Sequence, residues 1–450
     1  MTLELRHGLL NDKSFLDNLQ VHYFSHYDLK RNTTSSNPSP EDLKYKISDW
    51  KLPPNKKKTT HAALVMCLNL GIPPPDIPRP QKCPQLEAFV DPNAYPDFKV
   101  ALQAIGKKLQ ANYETISSRV KYKQILDPYS EDLRRMCSNL RRNAKDDRIL
   151  LHYNGHGVPQ PTQSGEIWVF NRTYTQYIPV SLYDLQNWIG APCIMVIDTS
   201  AAGNVIENNK KFIQKRIDDE ANHKGDSAAP SPISSYLETI QLGACQSDES
   251  LPMNPDLPAD LFTCCLTSPI EMSIKWYLLF SPLRKHGYYD FLKNKDGNVE
   301  IPGKLTDRKT PLGELNWIFI AITDTIAWTT LSRPLFMKLF RQDLVTAALF
   351  RNFLLAKKMM PEVGCHPISD PPLPDVNTNP MWDSWELAID EVLGQLLKKK
   401  HNEPPQEDLT DIPQLQVAIP SPSPANQTPV NVSSGINGSV IPSSTSTMSM

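Results

Sequence analysis

An α/β fold is what the 450-residue sequence predicts: a mainly parallel sheet flanked by helices, then an α-helical extension and a disordered tail. Three observations carry that expectation. Between about residues 61 and 310, short apolar runs alternate with helix-spaced apolar patterns, the mark of strands joined by right-handed helical crossovers. After about 310 the strand signals stop and helical stripes follow one another. Beyond about 400 the chain turns to Pro, Ser and Thr, which cannot bury enough apolar surface to fold. The expected divisions are an irregular extension (1–60), the α/β domain (61–310), the helical extension (311–400) and the tail (401–450).

The elements follow in order. Residues 1–60 are polar and irregular around NTTSSNPSPED (32–42). AALVMCL (62–68), bounded by Gly71 and a proline cluster, reads as a buried strand. Phe98, Leu102, Ile105, Leu109 and Tyr113 recur at helical spacing. A second helix is expected over about 130–146. Ser130 caps it, Glu131 and Asp132 fill its first turn, and Leu133, Met136 and Leu140 form its apolar face. Arg141, Arg142 and Lys145 stand near its end, where the helix dipole favours cations. RILLHYN (148–154) is a strand. Ser181 opens a helix with Leu182, Leu185 and Trp188 on one side, and PCIMVID (192–198) is the next strand. A charged helix at about 203–222, a surface loop at 223–235 and a strand at about 238–245 complete the domain.

In the extension, Thr310 and Pro311 form a cap and first-turn pair. The helix behind them puts Leu312, Leu315, Phe319, Ile322 and Ile326 on one stripe. A second helix runs from Pro334 to about Met359, beginning its face with Phe336, Leu339 and Phe340. A third aligns Trp382, Trp385, Ile389, Val392 and Leu396, with both tryptophans read as core. Three successive amphipathic helices look like the start of a helical layer or solenoid.

Composition excludes several functions. Lys+Arg (47) nearly balances Asp+Glu (49), a net charge of −2, which argues against a nucleic-acid partner. Several of the eight cysteines, among them Cys67, Cys193 and Cys245, sit in apolar runs, the usage of buried thiols in a reducing compartment. No CxxC pair occurs. Adjacent Cys264 and Cys265, and Cys365 beside His366, lack the spacing of metal ligands, so neither a metal nor a cofactor is expected. The N-terminus has no cationic start followed by an apolar core, and the most apolar window, Leu315 to Trp328, is too short for a membrane span and contains Asp324. The sequence reads as cytoplasmic.

Two segments carry chemistry. HYNGHG (152–157) and IDTSAAG (197–203) each follow a strand directly, and open parallel sheets bind ligands beyond the carboxyl ends of their strands. They should bring His156 and the turn Asp198–Thr199–Ser200 to one rim. Gly155 and Gly157 are expected to leave the His156 ring exposed, and Asp198 reads as a cap for its own turn. In caspases a strand-end His is followed by a nucleophilic Cys about 50 residues later. Here Ser200 stands 44 residues after His156, and a one-residue slip gives Thr199. A thiol of pKa about 8.5 is partly ionised near neutrality, whereas a serine needs an aligned base, an orienting group and an oxyanion hole. The expectation is a caspase-like rim without its nucleophile; an active Ser200/His156 hydrolase is the alternative.

The run RRNAKDDRILLHYNGHGVPQPTQSGEIWVFNRTYTQYIPVSLYDLQNWIGAPCIMVIDTSAAG (141–203) resembles the raptor family, the regulatory-associated proteins of the target of rapamycin (TOR) kinase. LPMNPDLPADLFTCCLTSPI (251–270), IPGKLTDRKTPLGELNWIFIAITDTIAW (301–328) and LFRQDLVTAALFRNFLLA (339–356) look like the same family, and the similarity covers about 61–398. The resemblance implies a caspase-like domain beside a helical solenoid, acting as a non-catalytic adaptor of TOR complex 1. It implies as partners the TOR kinase, other complex subunits, substrates with a short TOR-signalling motif, and nutrient-sensing GTPases at the lysosomal or vacuolar surface. It makes His156 and Ser200 vestigial catalytic positions, flanked by Gly155, Gly157, Asp198 and Thr199. Family members usually read Asp-Cys-Ser where this chain reads Asp198-Thr199-Ser200, which removes the neighbouring thiol too. They also continue into a longer solenoid and a propeller, so a truncated form or paralogue competing with full-length raptor is a further expectation.

Overall fold

The computed structural model describes residues 58–70, 86–223, 232–281, 292 and 299–402. Residues 1–57 of the expected N-terminal extension, Cys83, most of the loop at 223–235 and nearly all of the tail lie outside the described residues, and the extension's last two residues, Thr59 and Thr60, already belong to the first strand.

Eight strands are described: β1 (Thr59–Met66), β2 (Lys121–Leu126), β3 (Arg148–Asn154), β4 (Ile167–Phe170), β5 (Tyr177–Val180), β6 (Cys193–Asp198), β7 (Ile240–Gly243) and β8 (Ile368–Asp370). Six form one sheet in the order β2-β1-β3-β6-β7-β8, and β4 and β5 form a separate antiparallel hairpin. The first five strands of the large sheet run parallel, and β8 adds antiparallel to β7. Every residue of β3 and β6 is buried. That is why both read as unbroken apolar runs: strands of a parallel sheet are covered on both faces.

Among the described residues ten α-helices surround the sheet: α1 (Phe98–Ile116), α2 (Ser130–Ala144), α3 (Leu182–Ile189), α4 (Ala202–His223), α5 (Leu261–Thr267), α6 (Pro269–Phe280), α7 (Pro311–Thr330), α8 (Arg333–Phe340), α9 (Leu344–Met359) and α10 (Met381–Asn402). α1 lies against β1 and β2, and α2 against β1 and β3. Ser181 caps α3 by accepting from the Asp184 amide, and Thr310 caps α7 through the Gly313 amide. Ser130 does not cap α2. It is that helix's first residue, and the capping position, Tyr129, makes no side-chain hydrogen bond. The acidic pair Glu131 and Asp132 offsets the helix dipole there instead.

Two expectations beyond residue 310 are corrected. The single helix from Pro334 to Met359 is two helices, because Asp343 leaves the helical path and caps α9 by accepting from the Thr346 amide. Strands also do not stop: β8 returns to the sheet, and with three residues it is too short for alternation to reveal. The helices after 310 share one apolar core with the sheet. α9 packs on α5, α7, α8 and β1, and Phe350, Phe353, Trp382 and Trp385 join the cluster that contains Leu64, Leu151 and Ile197.

Candidate functional site

β3 and β6 are adjacent and parallel, with Asn154 opposite Asp198, so whatever follows each strand emerges at one rim. The Gly155 amide donates to the Asp198 carbonyl at 3.0 Å, and the Gly157 amide donates to the Cys67 carbonyl at 2.8 Å. A Cβ on residue 157 would lie 2.0 Å from the Leu68 carbonyl carbon. Glycine is therefore required by the close approach of the chain leaving β1, and it does not serve to expose the histidine.

The His156 side chain is only 9% exposed, contrary to the expectation of an open ring. Its Nδ1 is 2.9 Å from Glu87 Oε1 and its Nε2 is 3.3 Å from Asp198 Oδ1. Glu87 comes from the short bridged segment ahead of α1, which folds over the rim. The Asn154 side chain donates to Glu87 Oε2 at 3.3 Å and accepts from the His156 amide at 3.1 Å. Asp198 does not cap the turn that follows it. Its Oδ2 accepts from the Thr263 amide at 3.1 Å and from the Thr263 hydroxyl, so it holds the first turn of α5.

The charges follow from this packing. Burial opposes protonation of His156, but the Glu87 and Asp198 carboxylates outweigh it and hold the imidazole well above its ordinary pKa. Burial pushes Asp198 up, yet the His156 charge and the bonds from His156 and Thr263 bring it below its ordinary value. A third acid, Asp260, lies beneath. It accepts from the Ala88 amide at 3.0 Å, and Cys264 Sγ donates to it at 3.2 Å. Burial, then the charges of Glu87 and Asp198, push it up to about 8. The site is a histidine held between the Glu87 and Asp198 side chains, with the Asp260 carboxyl bonded to the Ala88 amide close by.

The turn after β6 is held from elsewhere. Ser200 Oγ accepts from the Leu251 amide at 3.0 Å, and the Ala201 amide donates to the Glu249 carbonyl at 2.8 Å. Thr199 is buried, its carbonyl 3.4 Å from Cys245 Sγ, and Ala201 takes a left-handed φ of 52°. His156 and Ser200 thus reach the same rim, but their hydrogen bonds go to different partners. A serine nucleophile needs a base on its hydroxyl, and both nitrogens of this histidine face carboxylates.

Other residues singled out in the sequence have structural places. Cys193, Trp382 and Trp385 are buried. His152 is fully buried beside Tyr113, whose hydroxyl is 3.1 Å from Nδ1, and burial pulls its pKa down to about 4. Among the described residues no group of three or more His, Cys, Asp or Glu side chains could hold a metal ion. No described helix is long and apolar enough to cross a membrane. Sequence reasoning missed Glu87, Asp260 and Thr263. Asp260 and Thr263 lie in the run 251–270, and Glu87 follows a proline-rich stretch with no motif.

Residues 57–209 match a family model described as "Raptor N-terminal CASPase like domain". The chain is 54% identical over 429 residues to "Target of rapamycin complex 1 subunit KOG1" of Saccharomyces cerevisiae, a match covering 89% of this chain and 28% of that protein. It is 51% identical over 397 residues to "Target of rapamycin complex 1 subunit mip1" of Schizosaccharomyces pombe, covering 87% of this chain and 29% of that one. Among solved structures it is similar to Chaetomium thermophilum Raptor, with a TM-score of 0.66 and 52% identity, covering 76% of this chain and 29% of the other. The chain spans less than a third of the length of these relatives.

Proposed function

The chain carries the N-terminal caspase-like region of the raptor family, and from that premise we propose that it acts as a non-catalytic adaptor in TOR complex 1, presenting protein substrates to the TOR kinase in nutrient-responsive growth signalling. The observation that carries the non-catalytic part is the double engagement of His156. With Glu87 on one nitrogen and Asp198 on the other, no base is aimed at the Ser200 hydroxyl, which already accepts from a backbone amide. The rim retains the placement of a peptidase cleft without the alignment that acyl transfer requires. Its use is then to hold chain, not to cut it.

On this reading the partners are the TOR kinase, the other complex subunits, substrates with a short TOR-signalling motif, and nutrient-sensing GTPases. The protein works in the cytoplasm and reaches the lysosomal or vacuolar surface through those partners. His156 and Ser200, with Gly155, Gly157, Asp198 and Thr199, are vestigial positions of the peptidase fold. Co-purification with TOR kinase and with a motif-bearing peptide tests the adaptor role: retention of both is expected, and failure to bind either overturns it. A fluorophosphonate probe tests the other half. Labelling of Ser200 that disappears in His156→Ala would replace this reading with a hydrolase.

A further inference from the structure

β2 ends the large sheet on the side away from β8, and among the described residues no strand pairs with its outer side. The direction of its free groups follows from one bond. The Asp127 amide donates to the Met66 carbonyl at 2.7 Å, so Lys121, Lys123 and Ile125, in step with Asp127, turn their backbone groups toward β1. Alternation leaves the N–H and C=O groups of Tyr122, Gln124 and Leu126 pointing outward. The strand thus presents an open row of donors and acceptors.

Its side chains divide by face. Tyr122 and Gln124 turn to α1: the Tyr122 hydroxyl donates to the Tyr113 carbonyl at 2.9 Å, and Gln124 Nε2 donates to Gln110 Oε1 at 3.4 Å. Lys121 and Lys123 alternate with them onto the opposite face, and both are exposed. Two residues along a strand span about 6.6 Å, so the two stems leave the sheet at the pitch of alternate side chains on any neighbouring strand. Among the described residues neither lysine has an ion pair or a side-chain hydrogen bond. Arg119 is exposed in the turn that leads into the strand. The charge is felt one strand in, where His61 lies opposite Lys121. Burial, then the Lys121 charge, lower the His61 pKa, with Lys123 adding to this and Asp147 opposing it.

Exposed lysines on an edge strand ordinarily keep like edges apart. The same repulsion is a selection. A strand with Glu or Asp at every second position would set its carboxylates against the two unpaired ammonium groups while its backbone closed the outward row. We propose that the outer edge of β2 is a docking site for an acidic, extended segment of another protein, which adds to the sheet as a further strand with its carboxylates over Lys121 and Lys123. Backbone bonds to Tyr122, Gln124 and Leu126 supply affinity, and the lysine pair supplies the choice of sequence. A second copy of β2 would bring lysine against lysine and is refused. The site uses none of the residues that surround His156.

The test measures, by fluorescence anisotropy at low salt, binding of the full chain to a labelled strand-length peptide in which glutamate alternates with threonine. Binding is expected, weakening as salt rises. Reversing both charges in Lys121→Glu, Lys123→Glu should weaken it by about tenfold or more, since like charges then face each other across the strands. Gln124→Pro removes an outward N–H without breaking a bond to β1, a place where edge strands tolerate proline. It should cost up to about tenfold for the lost backbone bond. The peptide N-methylated at every second residue, made in both registers, leaves the protein untouched. One register should bind and the other fail, a split that charge alone cannot produce. Equal behaviour of the two registers, equal binding of a peptide with its glutamates in one block, or no binding at all overturns the proposal.

Discussion

Arg148 Nη1 lies 3.8 Å from Asp343 Oδ2 and donates to Thr346 Oγ1 at 3.1 Å, with both ion-pair partners almost wholly buried. The same carboxylate accepts from the Thr59 amide and hydroxyl, at 3.3 and 2.7 Å, and from the Thr346 amide at 3.1 Å. One side chain thus ties the starts of β1, β3 and α9. Among the described residues Arg148 Nε and Nη2 have no hydrogen-bond partner, so the guanidinium depends on Asp343. Removing one member of a buried pair costs about 3–5 kcal/mol, because the other charge is left unpaired. Asp343→Ala should lower unfolding stability by that order in a urea titration. Asp343→Asn, which keeps a capping oxygen, should lose less.

The acid cluster at the rim predicts an alkaline weakening. His156 has a folded pKa well above 6.5, so its contribution is complete below 6.5 and is lost as pH rises through the folded value. Asp260 rises from 3.8 to about 8, so the folded chain keeps a proton that the unfolded chain releases, and stability falls as pH climbs across that window. Asp198 is depressed, so its contribution is present above 3.8 and lost as pH falls through its folded value. Denaturation midpoints should therefore decline from pH 6.5 towards 9. Asp260→Asn should flatten the slope between about pH 4 and 8, and an unchanged slope would remove Asp260 from the account.

Restoring a thiol should not restore a peptidase. In Ser200→Cys the sulfur would still meet a histidine whose nitrogens face Glu87 and Asp198. The expected result with a broad peptide library is no cleavage above that of the Ser200→Cys, His156→Ala double variant. Turnover that depends on His156 would show that the ring can swing free of its carboxylates.

Two glycines should respond oppositely to alanine. Gly157→Ala forces a methyl onto the Leu68 backbone, which cannot yield as a flexible side chain does, so a loss of more than about 2 kcal/mol is expected. Gly394 lies inside α10, where an added Cβ meets nothing within 4 Å. Gly394→Ala should gain roughly 0.5–1 kcal/mol from helix propensity. Melting of the two variants side by side checks both signs.

The large sheet was legible where burial makes strands apolar throughout. RILLHYN and CIMVID read as strands from their composition, and their alignment at one rim followed from parallel topology. β2 was not, because Lys121 and Lys123 are exposed on an edge strand and break the apolar run. α5 and α6 were hidden for the opposite reason: α5 is buried on every side, so it shows no polar face to set a period. His156 was found through its motif, but its environment was not. Glu87 and Asp260 acquire their meaning only when segments far apart in sequence close over the ring.

The sheet's last strand has a consequence for how the protein is made. β7 is complete at Gly243, yet β8, which covers its outer edge, begins at Ile368. On a ribosome the intervening stretch takes on the order of ten seconds to emerge. For that time the nascent sheet presents a bare, apolar hydrogen-bonding edge of the kind that recruits other chains. The opposite edge is guarded from the outset by Lys121 and Lys123. The growing chain therefore has one side on which it can mispair, and attendance by a chaperone is most useful between the synthesis of β7 and the arrival of β8.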